Sequence, residues 1–131
     1  MTIGNILNYR TIAVVGISDD PERPSHFVAS FLESHGYKII PVNPKLTEWE
    51  GKKCYPDLLS IPEKVDVVDI FRRAEAVPPI VDEAIKIKAK VVWMQEGIVN
   101  EEAAAKARDA GIEVIMDRCM KKEYNRLKPK Y

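Results

Sequence analysis

Short, apolar, β-branched runs alternate along this chain with segments of helical period, and that alternation constrains the fold more than any other feature. It describes βαβ units laid around a parallel sheet. Thr11–Val15 is apolar almost throughout, as a strand covered on both faces requires, and it stops at Gly16. Lys38–Val42, Val65–Ile70, Val91–Met94 and Glu113–Met116 read as the other strands. Between them Phe27, Val28, Phe31 and Leu32 share one helical face. Val77, Ile80, Val81, Ala84 and Ile85 make a stripe over Val77–Lys88, and Ala103, Ala104 and Ala107 do the same over Glu101–Ala110. Pro78 and Pro79 fit only the first turn of their helix, Asn100 stands where an N-cap belongs, and Gly36 and Gly111 stand where helices end. A short leading helix over Thr2–Tyr9 and a closing basic helix over Met120–Leu127 complete the pattern. Residues 45–64, punctuated by Gly51 and Pro56, read as an irregular connector with a small strand or turn near Lys53–Tyr55.

The expectation is one α/β domain over residues 1–131, doubly wound with right-handed crossovers, its mainly parallel sheet of about five strands flanked by helices. A chain of 131 residues supports one core of ordinary size. Basic and acidic side chains number 20 each, so no overall field draws the protein to nucleic acid or an anionic membrane, and any anion site has to be local. The Met1–Tyr9 segment lacks the leader pattern of a signal peptide, and no stretch approaches the roughly 20 apolar residues of a membrane span. The expected location is therefore the cytoplasm, and a homodimer or a protein partner is left open. Cys54 and Cys119 are far apart, without a CxxC pair or a His-rich neighbourhood, and read as reduced thiols rather than zinc ligands.

Doubly wound sheets bind ligands at the carboxyl edge of their strands, so the residues directly after each strand carry the functional reading. Gly16-Ile17-Ser18 and the loop through Arg23 lead to Ser25 and His26 at a helix start, where free N–H groups and the helix dipole favour phosphate. Ser18 occupies the place of a dinucleotide fingerprint's second glycine, and no acidic residue accompanies Asn43-Pro44-Lys45 to hold a ribose. Both tell against an NAD(P)-binding oxidoreductase. Arg72 and Arg73 follow a strand end directly, where their forked donors can reach into a cleft. Arg23, Lys45, Arg72, Arg73 and Arg118 map to one edge, diluted by Asp19, Asp20, Glu22 and Glu96. Trp93 is expected in the core, His35 at the surface, and His26 as a residue that opens a helix. No P-loop lysine motif, nucleophile elbow or metal-ligand cluster is present in the sequence.

Taken together, Val14-Val-Gly-Ile-Ser18, Arg23-Pro-Ser25, Gly36-Tyr37, Pro41-Val-Asn-Pro44, Asp69-Ile-Phe-Arg-Arg73, Val77-Pro-Pro79, Trp93-Met-Gln-Glu-Gly-Ile98 and Met116-Asp-Arg-Cys119 resemble the small stand-alone CoA-binding proteins. Their single Rossmann-like domain is similar to the N-terminal CoA-binding domain of the succinyl-CoA synthetase alpha subunit. The resemblance runs along nearly the whole chain. It implies coenzyme A or an acyl-CoA as the ligand, with Ser18, Arg23 and Ser25 on the phosphates beyond Gly16 and Ile17. It further implies that Asn43, Pro44 and Lys45 flank the nucleotide, that Phe71, Arg72, Val77 and Pro78 line its other side, and that Gln95 and Gly97 approach the pantetheine arm. The synthetase's second domain and phosphohistidine segment have no counterpart here, so ligase activity is not implied. A non-catalytic or accessory binding module is the leading expectation. The alternatives are a partner-dependent acyl-CoA enzyme subunit, a thiol-redox protein using Cys119, and, least supported, an NAD(P)-binding oxidoreductase.

Overall fold

A computed structural model describes residues 2–128, so Met1 and residues 129–131 of the expected domain lie outside it. Five strands, β1 (Thr11–Val15), β2 (Lys38–Val42), β5 (Val67–Ile70), β6 (Val91–Met94) and β7 (Glu113–Ile115), form one parallel sheet. Two further strands, β3 (Glu48–Trp49) and β4 (Lys52–Lys53), make a small antiparallel hairpin in the connector. The spatial order is β2-β1-β5-β6-β7. Helices cover both faces, giving a Rossmann-like α/β arrangement.

Side chains of a strand alternate between faces, and here both faces are dry. Ala13, Val15, Ile40, Val42, Val68, Ile70, Val92 and Met94 pack beneath α3 (Val77–Lys86) and α4 (Glu101–Asp109). Ile12, Val14, Ile39, Val67, Val91 and Trp93 pack beneath α2 (Pro24–Ser34) and α5 (Met120–Leu127), with α1 (Ile3–Ile6) alongside. Burial on both sides explains why the strands read as continuous apolar runs, and each fully buried valine or isoleucine is worth about 1.5–3 kcal/mol. The helices start where the sequence places them. Pro24 and Pro78 occupy first turns, and Asn100 Oδ1 accepts the Ala103 N–H at 2.9 Å above a first turn carrying Glu101 and Glu102.

Several boundaries differ from expectation, α3 ending at Lys86 and not Lys88 and α4 at Asp109 and not Ala110 among them. The leading helix is one turn, Ile3–Ile6, and not Thr2–Tyr9, because the chain bends at Leu7 to bury Ile6 and Leu7 before entering β1. β5 begins at Val67, since Asp66 is occupied with the start of β1, its carboxylate accepting the Thr11 N–H at 3.3 Å. β7 ends at Ile115, ahead of a left-handed Asp117 at φ +58°. Among the described residues no helix is long and apolar enough to cross a membrane.

The strand order positions the site. From β1 the chain leads outward to β2, whereas from β5 it leads the opposite way to β6, so the two connections part above adjacent strand ends and leave a crevice between them.

Candidate functional site

The crevice opens into a cleft of about 940 Å³, a size suited to a ligand larger than a metabolite fragment. Gly16 and Ser18, the start of α2, the Phe71–Ala74 segment, residues 95–98 and the first turn of α5 enclose it. Gly16 sets the geometry. It has φ +88°, and a Cβ there would lie 2.6 Å from the Phe71 carbonyl oxygen and 2.8 Å from Arg72 Cδ. Only glycine lets the segment after β5 cross so close over the end of β1, and that crossing lays the Arg72 stem over Gly16. Gly16, Asn43 and Arg72 therefore converge at one edge.

The loop beyond Gly16 is tied down from its outer side. Asn43 Nδ2 donates to the Ile17 carbonyl at 2.7 Å, while Asn43 Oδ1 accepts the Lys45 N–H at 2.8 Å. Trp49 of the β3–β4 hairpin, itself buried, donates through Nε1 to the Ser18 carbonyl at 2.9 Å. His26 lies against Trp49 with ring centroids 5.1 Å apart and Nε2 3.5 Å from the Glu50 carboxylate. It sits beneath the hairpin and outside the cleft. With its outer contacts filled, the loop presents the Ser18 and Ser25 N–H groups and the Ser25 hydroxyl without partners among the described residues, at the positive end of α2.

Charge in the cleft is largely paired. Arg23 approaches Asp20 at 3.9 Å, Arg73 approaches Glu75 at 3.4 Å, and Lys122 meets Glu96 at 2.8 Å. The hydrogen bond and charge of Glu96 raise the Lys122 ammonium above the usual lysine range. Arg72 has no acidic partner among the described residues. A second cavity of about 130 Å³, lined by Val42, Pro44, Pro56 and Glu83, shares Gly16 and Arg72 with the first, so the guanidinium stem divides the two.

A family model described as a CoA binding domain matches residues 10–125. The chain belongs to the CoA binding domain family. It is 45% identical over 112 residues to the uncharacterized protein YneT of Bacillus subtilis, covering 86% of this chain and 83% of that one. It is 35% identical over 98 residues to the alpha subunit of ADP-forming acetate–CoA ligase I of Pyrococcus furiosus, where the match spans 70% of this chain but 21% of the ligase subunit. Among solved structures, a hypothetical protein from Pyrococcus horikoshii superposes with a TM-score of 0.93 at 45% identity, over 98% of this chain and 93% of that one.

The CoA binding domain brings most of the expected residues together. Gly16, Ser18, Arg23, Ser25, Phe71, Arg72, Gln95 and Gly97 line the main cleft, and Pro44 lines the smaller cavity. Ile17 and Val77 are wholly buried in the two halves of the core, so their side chains hold the walls rather than face the space. Asn43 is spent on the Ile17 carbonyl and the Lys45 amide. Lys45 is exposed, Pro78 is half-buried in the first turn of α3, and neither lines a cavity. The Gly97 N–H is engaged by Asp117 Oδ1 at 2.7 Å, so Gly97 offers backbone surface and not a donor. Of the five basic residues assigned to this edge, Arg23, Arg72 and Arg73 line the cleft, whereas Lys45 and Arg118 do not. Trp93 is fully buried, with Nε1 donating to the Arg118 carbonyl at 2.7 Å, and His35 is exposed, both as expected.

Three lining side chains escaped the reading of strand ends, Phe27 and Val28 on α2 and Lys122 on α5. Each sits in the first turn or so of a helix that returns over the edge, and the placement of Cys119 just before α5 was the available signal. Asp69 on β5 is also unusual. It lies between Val14 and Trp93 in the sheet register, wholly buried, with neither carboxylate oxygen hydrogen-bonded. Burial raises its carboxyl well above the ordinary range, which favours the neutral acid.

Arg23, Arg72 and the start of α2 lie toward β1, while Gln95, Ile98, Cys119 and Lys122 lie toward β6 and α5.

Proposed function

We propose that this chain holds CoA or an acyl-CoA in the main cleft as a non-catalytic or accessory binding module. Arg72, together with the N–H groups of Ser18 and Ser25 and the Arg23 side chain, takes the phosphates. The pantetheine arm then runs past Phe71 toward Gln95 and Gly97. The supporting observation is Arg72. It is the one cleft cation without an acidic partner among the described residues, and it is held over Gly16 beside the free N–H groups of α2. An oxyanion completes that arrangement, because a charge-assisted bond to a guanidinium is worth about 1.5–3 kcal/mol. The region matched in the ligase subunit makes up about a fifth of that subunit's length.

Calorimetric titration with CoA, NAD and ATP tests this reading. CoA should bind clearly tighter than the other two, Arg72→Ala should weaken it about 10- to 100-fold, and added salt should weaken it further. Equal affinity for all three would refute the assignment.

A further inference from the structure

We propose that Cys119 is a thiol–disulfide exchange site for disulfides of the cleft's own ligand, joining its sulfur to one half of a CoA disulfide and releasing the other half as a free thiol. The inference rests on the CoA reading and deepens it.

The two cysteines differ in place. Cys54 is 3% exposed, donates to the Asn43 carbonyl at 3.7 Å, and has its thiol raised by burial. Cys119 is half-buried and lines the cleft at its α5 end, as the N-cap residue of that helix, making no side-chain cap bond. Lys122, one turn further on, lines the same wall.

A thiol at a cleft wall is not a site by itself, and two buried polar side chains mark this one as built for a ligand. Gln95 is 4% exposed and lines the cleft. Its Oε1 accepts the N–H of Met120, the residue after Cys119, at 3.2 Å, and its amide N–H₂ has no partner among the described residues. Toward the other end Ser25, 6% exposed, lines the cleft with a hydroxyl that has no partner among the described residues. Parallel strands about 4.8 Å apart put the β6 edge about 10 Å from the β1 edge. A ligand with its phosphates at Ser25 and Arg72 and its arm amides at Gln95 therefore brings its terminal sulfur to the wall that carries Cys119.

The step is balanced. The Cys119 thiolate attacks one sulfur of the ligand disulfide, the new S–S bond forms as the old one breaks, and the departing thiolate takes up a proton equivalent to the one Cys119 gave to water. One disulfide is consumed and one is made, so the ligand disulfide is the only oxidant required. Binding raises the local concentration of the disulfide at Cys119, which predicts selectivity for ligands that carry the nucleotide.

Reduced protein incubated with CoA disulfide, or in parallel with cystamine, and followed by intact mass and peptide mapping tests the proposal, with calorimetric titration of CoA onto the reduced protein alongside. The expected result is a mass gain of one CoA less two hydrogens on the Cys119 peptide and not the Cys54 peptide. It should form about tenfold or more faster than the cystamine adduct, be reversed by dithiothreitol, and be absent in Cys119→Ser. If reduced protein binds CoA but Cys119 stays unmodified, or reacts no faster than with cystamine, the exchange site is overturned and the CoA reading stands. If CoA does not bind at all, both fall.

Discussion

Replacing Asp69 with asparagine isolates a charge that the fold suppresses. The carboxyl is 0% exposed, sits between Val14 and Trp93, and has no hydrogen-bond partner on either oxygen. Burial therefore raises its pKa well above the ordinary 3.8. In the unfolded chain the group ionises near that ordinary value, while in the folded chain it keeps its proton to higher pH. Its contribution to stability is thus full below the unfolded value, falls as pH rises between the two values, and is lost once pH passes the folded one. The slope in that window is about 1.4 kcal/mol per pH unit. The asparagine side chain does not titrate, and every other carboxylate is common to both proteins. Denaturant unfolding of wild type and Asp69→Asn at a series of pH values, read as midpoints at unchanged m-value, should show the variant gaining on wild type by that slope above about pH 4. An unpaired amide adds a constant offset of about 1–3 kcal/mol, so the slope and not the offset is diagnostic. Parallel pH profiles would mean that the carboxylate is charged or solvated in the folded protein, and would refute the reasoning.

Gly16→Ala should cost about 1–2 kcal/mol for the left-handed backbone alone, and more as its Cβ forces the Phe71 carbonyl and Arg72 aside. Thermal melts and CoA titration should both register it. Trp49→Phe removes the bond to the Ser18 carbonyl and should lower stability by about 1 kcal/mol or more while weakening CoA binding through a looser loop. Asn100→Ala removes both the α4 cap and the bond from Asn100 Nδ2 to the carbonyl of Ala74 at the cleft wall, and should cost about 1 kcal/mol or more in denaturant midpoints.

Much of the fold was legible because its strands are dry on both faces. β1, β2 and β6 match their expected residues, and α5 begins and ends at Met120 and Leu127 as its pattern indicated. The connector was not legible. Its hairpin has two-residue strands with no periodicity, and what holds it is the burial of Trp49 against the loop after β1, a contact between distant parts of the chain. The site was legible to the extent that topology alone delivers strand-end residues to one edge, as it does Gly16, Arg72 and Gln95. Spacing does not reveal which of those residues face the space and which fasten its walls, so Asn43, Ile17 and Val77 turn out to fasten. Nor does it reveal which helix turns fold back over the edge, which is how Phe27 and Lys122 enter the lining.

Titration of isotopically labelled protein with CoA, followed by backbone amide chemical shifts, tests the cleft most directly. The account predicts shifts concentrated at Gly16, Ser18, Ser25, Arg72 and Gly97, with Ala103 and Lys106 of α4 unmoved. Shifts centred on the outer faces of α3 and α4, or none at saturating CoA, would contradict it.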